Sequence, residues 1–319
     1  IVPFPASNNR RDGAEAQNMT IFPESFVVFQ GQDCLIPPQD AYNMRFLDEP
    51  SLAASIKPEA VCWHFSQIPS DLLSPSSDHY AYSVFEFDDR KYGAIQIQDN
   101  DDILIKRPGL DEAIAFPVRE LVVSYPSRFS RFMLIAKAHG QWASVSRFCG
   151  ACGSLLVDAK ENDEVRERLD DNAYAARFCP RCKRVFFPRM SPAVIVLVYR
   201  ENSILLGHNV RFPRNRHSLI AGFVEIGETL EETAIREIRE EAGIEVKKLH
   251  YVLSQPWPFP DSLMIGFIAE WASGEARPDR NEIDHIAWYG ADDLPELPLR
   301  GSIARYLIDS FIAGGFSNG

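Results

Sequence analysis

The chain has 319 residues, of which 45% are hydrophobic and 24% charged, the composition of an ordinary globular protein with room for two or three modest cores. A formal net charge of −12 argues against broad electrostatic affinity for nucleic acid, which needs clustered Lys and Arg, so an anionic substrate has to be met by local cations. The longest apolar run, Ala193 to Tyr199, is strand-sized and falls well short of the ~20 residues of a membrane span.

Residues 1–20, rich in Asn, Arg, Ala and Pro, lack periodicity and read as a flexible lead-in. No signal-peptide apolar core lies between Ile1 and Asn18, and Phe316 to Gly319 matches no peroxisomal or endoplasmic-reticulum tail, so a cytoplasmic location away from membranes is the expectation. Residues 21–145 contain short alternating runs, Ser25 to Phe29, Tyr82 to Phe87, Tyr92 to Ile97 and Ile103 to Ile105, separated by Asp, Asn, Pro and Gly. These predict a mostly β N-terminal domain with no catalytic constellation, used as a scaffold or dimer platform. Cys34 and Cys62 stand alone there and read as structural thiols. Residues 146–189 carry the other four cysteines as a separate small module. In residues 190–319 strands are predicted at Ala193 to Tyr199 and Ser203 to Gly207, followed by a basic segment containing Arg211, Arg214, Arg216 and His217. A helix begins near Leu230 and stops at Gly243, strands alternate with Pro-rich loops, and an amphipathic helix closes the chain at Ser302 to Ile312. The class is α/β (α+β), and no internal repeat or low-complexity tract is visible in the residues.

Cys149, Cys152, Cys179 and Cys182 form a C-x2-C-x26-C-x2-C pattern that can place four thiolates on one tetrahedral zinc ion. The 26-residue gap exceeds the usual spacing of about 15 to 20 and implies an insertion, Asp158 to Asp171, helical or loop-like, between the two knuckles. Two redox pairs are the alternative. Each pair is followed by a turn residue, Gly153 or Lys183, and the module holds no water-activating His or Glu beside the thiols, so a filled site there is structural.

The segment from Gly222 to Ile244 is the most informative. On a helix, Glu237, Glu240 and Glu241 stand at i, i+3 and i+4 and gather their carboxylates on one face. Such like charges repel unless a cation sits among them, and Mg²⁺ or Mn²⁺ suits an all-oxygen set. Leu230, Ala234, Ile238 and Ala242 form the stripe that buries the same helix. A bare E-x-x-E-E is also compatible with a solvated acidic helix. The full segment fits G-x5-E-x7-R-E-U-x-E-E-x-G-U at every specified position, U being a bulky aliphatic, and closely resembles the signature of the Nudix superfamily. The resemblance implies an α/β/α sandwich with a mixed sheet, a loop and helix that hold several metal ions, and an Arg236 to Glu228 pair that locks the loop onto the helix. Gly222 and Gly227 would let the loop approach phosphate closely.

Downstream, Ser254 to Ser262 reads S-Q-P-W-P-F-P-D-S. Three prolines in alternate positions predict a stiff extended segment presenting Trp257 and Phe259, or simply a packed loop. The string resembles the substrate signature of the NADH pyrophosphatase branch of the superfamily, whose members also carry a four-Cys zinc ribbon. That likeness extends from Phe148 to the last helix. It implies Glu237, Glu241, Glu282 and the Ala221 carbonyl as Mg²⁺ or Mn²⁺ ligands, with Glu240 a ligand or base and Glu228 and Arg236 completing the catalytic set. Gln255, Pro256, Trp257, Pro258, Phe259, Pro260, Asp261, Ser262 and Ala304 are the implied substrate contacts. Phe223 resembles the aromatic on which nicotinamide stacks, and Phe187 stands where relatives often have Tyr. The basic segment is either a solvated loop or a phosphate attractor.

The implied activity is hydrolysis of the pyrophosphate bond of NADH or NAD⁺ to a nicotinamide mononucleotide and AMP by a homodimer, without redox chemistry. The alternatives are removal of NAD caps from RNA 5′ ends by the same chemistry, and a non-catalytic nucleotide-binding protein.

Overall fold

A computed structural model describes residues 25–30, 32–37, 61–64, 80–97, 113–124, 127–167, 169, 175–213 and 215–315. The lead-in, Ile103 to Ile105 and Arg214 lie outside the described residues. The chain falls into two compact units that meet in sequence between Arg189 and Met190.

In the first unit, β1 (Ser25–Gln30), β2 (Asp33–Ile36), β3 (Trp63–His64), β4 (Tyr80–Phe87), β5 (Arg90–Ile97) and β6 (Ile114–Pro117) form one sheet. Its order is β4-β5-β1-β2-β6, with β3 on β1; β1 is parallel to β5 and antiparallel to β2 and β3. The sheet bears out the mostly β expectation for this region, and it is followed by helices α1 (Val118–Ser124) and α2 (Ser127–Val145), which the sequence reading does not single out. The reason lies in the buried stripe of α2. Phe129, Phe132, Met133, Ala136 and Ala143 have helical spacing, but Lys137 and Gly140 occupy two buried positions of the same stripe and mask it. Lys137 is accommodated by donating to Gln96 Oε1 at 2.8 Å and lying over the Phe29 ring. The ribbon module has its own antiparallel sheet, β7 (Val157–Asp158), β8 (Arg177–Cys179) and β9 (Arg184–Phe186). The described part of its insertion contains a 3-10 turn, Ala159–Glu161, and a short helix α3 (Asp163–Arg166).

In the second unit, β10 (Ser191–Arg200), β11 (Ser203–Asn209), β12 (Ile220–Phe223), β13 (Glu245–Trp257), β14 (Ser262–Ser273) and β15 (Ile283–Tyr289) are joined by helices α4 (Leu230–Ala242) and α5 (Ile303–Ile312). The mixed sheet has the order β13-β14-β10-β11-β15, with β12 on β10. Alternation along β10 decides the layers. Val194, Val196 and Val198 join Ala234, Ile238 and Ala242 of α4 in one core, while Ile195 and Leu197 join Ile303, Leu307 and Ile308 of α5 in the other. The result is an α/β/α sandwich in which burying a residue such as Ile238 contributes on the order of 2 kcal/mol. The buried stripe read from the sequence for α4 is the one observed.

The two units share one strand topology. In each, a central strand forms an antiparallel hairpin with the next strand, pairs in parallel with the fifth, and also pairs with the short third strand, which lies off the main strand order. The repeat is one of connectivity, so no residue pattern betrays it. Between β3 and β4, where the second unit inserts α4, the sequence contains Asp71 and Asp78 but no Glu. Among the described residues no helix is long and apolar enough to cross a membrane.

Candidate active site

Helix α4 is set by its ends. Thr229 caps it, with Oγ1 accepting from Glu232 N at 3.2 Å and Glu232 Oε2 accepting from Thr229 N at 2.8 Å, a reciprocal cap of about 1 kcal/mol. Gly243 ends it in the left-handed region at φ +67°. Between these ends the three carboxylates of the sequence motif part company. Glu237 and Glu241, one turn apart, are 9% and 8% exposed, whereas Glu240 stands out in solvent.

Arg236 organises the group. Its Nε and Nη2 grip Glu228 at 2.6 and 2.9 Å, its Nη1 reaches Glu237 at 2.8 Å and Glu240 at 3.0 Å, and its Nη2 also donates to the Phe223 carbonyl at 3.0 Å. One guanidinium thus ties the loop after β12 to the helix, and Glu228 is additionally held by Glu225 N and Thr233 Oγ1. The Arg236 hydrogen bonds hold the Glu228 carboxyl down at about 2. Glu237 is instead pushed up, because its burial outweighs the Arg236 contact.

Glu241 is the most perturbed carboxylate. Burial, and then the charges of Glu237, Glu282 and Asp279, push it up to about 8, opposed by the Ala221 backbone N–H. Among the described residues no ion pair reaches it. A buried acid facing three others is the arrangement that a cation relieves. Glu282 is brought to this group by the turn into β15, where Asp279 Oδ1 accepts from Ile283 N at 2.8 Å. Asp279 was not among the residues singled out by sequence; its signal was proximity to Glu282 in an otherwise polar loop.

Gly222, on β12, leaves room for these acids, since a Cβ there would fall on the Glu237 carboxylate. Glu237 can swing aside only by leaving Arg236. Gly222→Ala is therefore expected to fold with a thermal midpoint within a few degrees of wild type but to lose on the order of a hundredfold in turnover, the usual penalty of a displaced reacting group. A wild-type rate would show that the position of Glu237 does not matter.

The S-Q-P-W-P-F-P-D-S segment is a hairpin rather than an extended display. Gln255, Pro256 and Trp257 end β13, Pro258 to Asp261 turn with a cis Phe259–Pro260 bond, and Ser262 begins β14 opposite Trp257. Phe259 is buried edge-on against Trp257 at 5.0 Å, so only the partly exposed Trp257 ring is presented. The reason is that the turn folds Phe259 back, its N–H bonding the Trp257 carbonyl at 2.7 Å. The amide of buried Gln255 donates to the Gly301 carbonyl at 2.9 Å and accepts from Ile303 N at 2.8 Å, which seats the start of α5 beside Ala304. Phe223 is 55% exposed at the end of β12, and Phe187, in the first unit, is 56% exposed. In the basic segment, Arg216 is committed to Glu296 through Nε and Nη2, and Arg211 is exposed.

Buried His208 was also missed. Its Nδ1 lies 2.6 Å from Asp284 Oδ1 and its Nε2 3.2 Å from the Pro213 carbonyl, and the Asp284 hydrogen bond raises its pKa. His217 contacts His285 at 3.1 Å and has its pKa lowered, mainly by burial.

The four cysteines of the ribbon converge, their sulfurs all within 4.8 Å of one another. Two matched turns bring them there. Gly153 N bonds Cys149 O and Lys183 N bonds Cys179 O, each at 2.8 Å, with positive φ at both Gly153 and Lys183. None is in a disulfide. Hydrogen bonding by Ser154 lowers Cys152 to about 6, whereas the neighbouring Cys152 sulfur and burial push Cys182 up to about 12; four thiols this close need a cation to ionise together.

The family profile described as NUDIX domain matches residues 189–311. The chain is 42% identical over 211 residues to a Pseudomonas aeruginosa protein named NAD-capped RNA hydrolase NudC, a match that spans 66% of this chain and 70% of that one. It is 45% identical over 167 residues to the Salmonella paratyphi C protein of the same name, covering 52% of this chain and 60% of the relative. A solved Nudix hydrolase from Nitrosomonas europaea overlaps 54% of this chain and 93% of its own at 21% identity, with a TM-score of 0.44. Domain profile, identity and coverage agree with the carboxylate helix and its loop: the chain belongs to the Nudix hydrolase family.

Proposed function

We propose that the protein hydrolyses the pyrophosphate bond of NADH and NAD⁺ to a nicotinamide mononucleotide and AMP, and that NAD-capped RNA 5′ ends are a second substrate of the same chemistry. The observation that carries the reading is the Glu237, Glu241, Glu282 and Asp279 cluster, with buried Glu241 lacking a cationic partner beside the arginine-locked loop. The name shared by the relatives supports the capped-RNA substrate as much as the free dinucleotide.

The donor set fits Mg²⁺ or Mn²⁺, because it is all oxygen and drawn from rigid elements. Glu237, Glu241, Glu282 and the Ala221 carbonyl would hold the ions, and Zn²⁺ fits the four thiolates of the ribbon as a structural ion. Divalent ions bound there supply charge neutralisation at the pyrophosphate and a water of lowered pKa. The protein supplies the rest. Arg236 keeps the loop closed on the helix, and Gly222 lets the Glu237 carboxylate approach the backbone. Exposed Glu240, paired with Arg236, would take the proton as the water oxygen bonds phosphorus and the bridging P–O bond breaks. Phe223 offers a stacking face to a base or nicotinamide ring, and Trp257 a second one. A cytoplasmic homodimer is proposed from the family resemblance, and sedimentation of the purified chain reads its oligomeric state.

The test is incubation with NADH, NAD⁺ or an NAD-capped RNA and Mg²⁺ or Mn²⁺, with chelated controls and separation of products. AMP with a mononucleotide, or 5′-monophosphate RNA, is expected only with metal. Cleavage at the glycosidic bond, or none of the three substrates cut, would overturn the reading.

A further inference from the structure

We propose that His208 is a positioning residue for Glu282, acting through Asp284. The inference rests on the reading of Glu282 as a metal ligand. It starts from an irregularity in the sheet: β11 and β15 pair regularly from Ile204↔Tyr289 to His208↔His285, and the next pair is Asn209↔Ile283, so Asp284 is an extra residue in β15. The effect on side-chain direction is concrete. Ile283 and Ile286 sit in the same core although three residues apart, which an uninterrupted strand cannot achieve because its faces alternate. Glu282 is exposed immediately before the strand that the bulge distorts, and its charge reaches Glu237 and Glu241. Bulges of this kind re-aim side chains beside functional sites.

The bulge needs a fastening, since Asp284 has no cross-strand partner. His208 provides it from the facing strand, with Nδ1 2.6 Å from Asp284 Oδ1. The other ring nitrogen faces the Pro213 carbonyl at 3.2 Å, in the basic segment after β11. Both partners are acceptors, so the ring joins the bulge to that segment, donating from Nδ1 to Asp284 when neutral and from both nitrogens when protonated. The backbone completes the frame, because Val210 N bonds the Glu282 carbonyl at 3.0 Å and Arg280 N bonds the Ile283 carbonyl at 2.9 Å. His208 is buried while Asp284 is half-exposed, so the pair is anchored on the β11 side and Glu282 is held from there.

The experiment titrates Mg²⁺ and Mn²⁺ against NADH hydrolysis for wild type, His208→Gln, Asp284→Ala, Asp284→Asn, the His208→Gln/Asp284→Ala double variant and Glu282→Gln, with thermal midpoints measured in parallel. His208→Gln and Asp284→Ala are each expected to raise the metal concentration for half-maximal rate by about tenfold, the scale seen when a residue behind a ligand is removed. The double variant should be no worse than the poorer single, and Asp284→Asn, which keeps an acceptor, should recover most of the loss. A purely structural role would lower the midpoint and the folded fraction but leave the half-saturating metal concentration unchanged. That unchanged value in His208→Gln and Asp284→Ala, with Glu282→Gln shifted, would overturn the positioning role alone. Unchanged metal dependence in Glu282→Gln itself would overturn the ligand reading and this inference with it. Asp284 is exposed enough that its truncation keeps the test open should His208→Gln fold poorly.

Discussion

Glu241→Gln is expected to lower NADH turnover by on the order of 10²–10³-fold while making the metal-free protein more stable at pH 8. Both effects have one source. Burial among Glu237, Glu282 and Asp279 raises the Glu241 carboxyl from an ordinary 4.5 to about 8, so the folded chain holds its proton more tightly than the unfolded chain does. A raised carboxyl contributes stability that is fully present below about pH 4.5 and is lost as pH climbs through about 8. In the metal-free wild type, stability from this group therefore falls between those limits, whereas the glutamine variant lacks that slope and gains on the order of 3 kcal/mol at the upper end. Mg²⁺ should restore the wild type at pH 8 and leave the variant almost unmoved. Thermal midpoints from pH 5 to 9 with and without Mg²⁺ measure this. Equal metal response in the two proteins would mean that Glu241 holds no ion.

Cys179→Ser carries the second large effect. Cys179 is fully buried and its sulfur lies 3.6 Å from that of Cys152, so its loss leaves three thiolates around a missing corner. Zinc, expected at about one per chain in the wild type, should fall to near zero by elemental analysis. Since structural zinc in such small modules supplies about 10–16 kcal/mol of binding free energy, β7 to β9 should lose amide protection. The module has little else, its buried cluster being Ala159, Val165, Ala176 and Phe178. A ribbon that keeps its protection without zinc would favour the redox-pair reading of these cysteines.

The parts of the chain that were legible from sequence are those governed by local rules. Helix α4 shows itself by an apolar stripe and a terminal glycine between Leu230 and Gly243, both where the spacing placed them, although only Glu237 and Glu241 of its three carboxylates are buried together. The ribbon likewise follows from two short C-x2-C turns. What stayed hidden depends on distance or on compensation. Helix α2 was obscured because Lys137 sits in its buried stripe, where it donates to Gln96 on strand β5 and lies over the Phe29 ring. Of the two readings open for the proline-rich segment, the packed loop fits Phe259, whose ring the hairpin turn folds onto Trp257. The His208 to Asp284 contact joins residues 76 apart, and nothing at either position announces the other. The shared strand order of the two units is one of connectivity and left no trace in the residues.

In the proposed mechanism the Glu237, Glu241, Glu282 and Asp279 cluster directs water onto phosphorus. Hydrolysis of NADH in H₂¹⁸O, with Mg²⁺ and then with chelator, tests it most directly when the products are weighed by mass spectrometry. One ¹⁸O atom per cleavage is expected, in the phosphate of AMP or of the reduced mononucleotide, with no products once metal is withdrawn. Label in a ribose or on released nicotinamide's partner sugar, or cleavage indifferent to chelation, would contradict it.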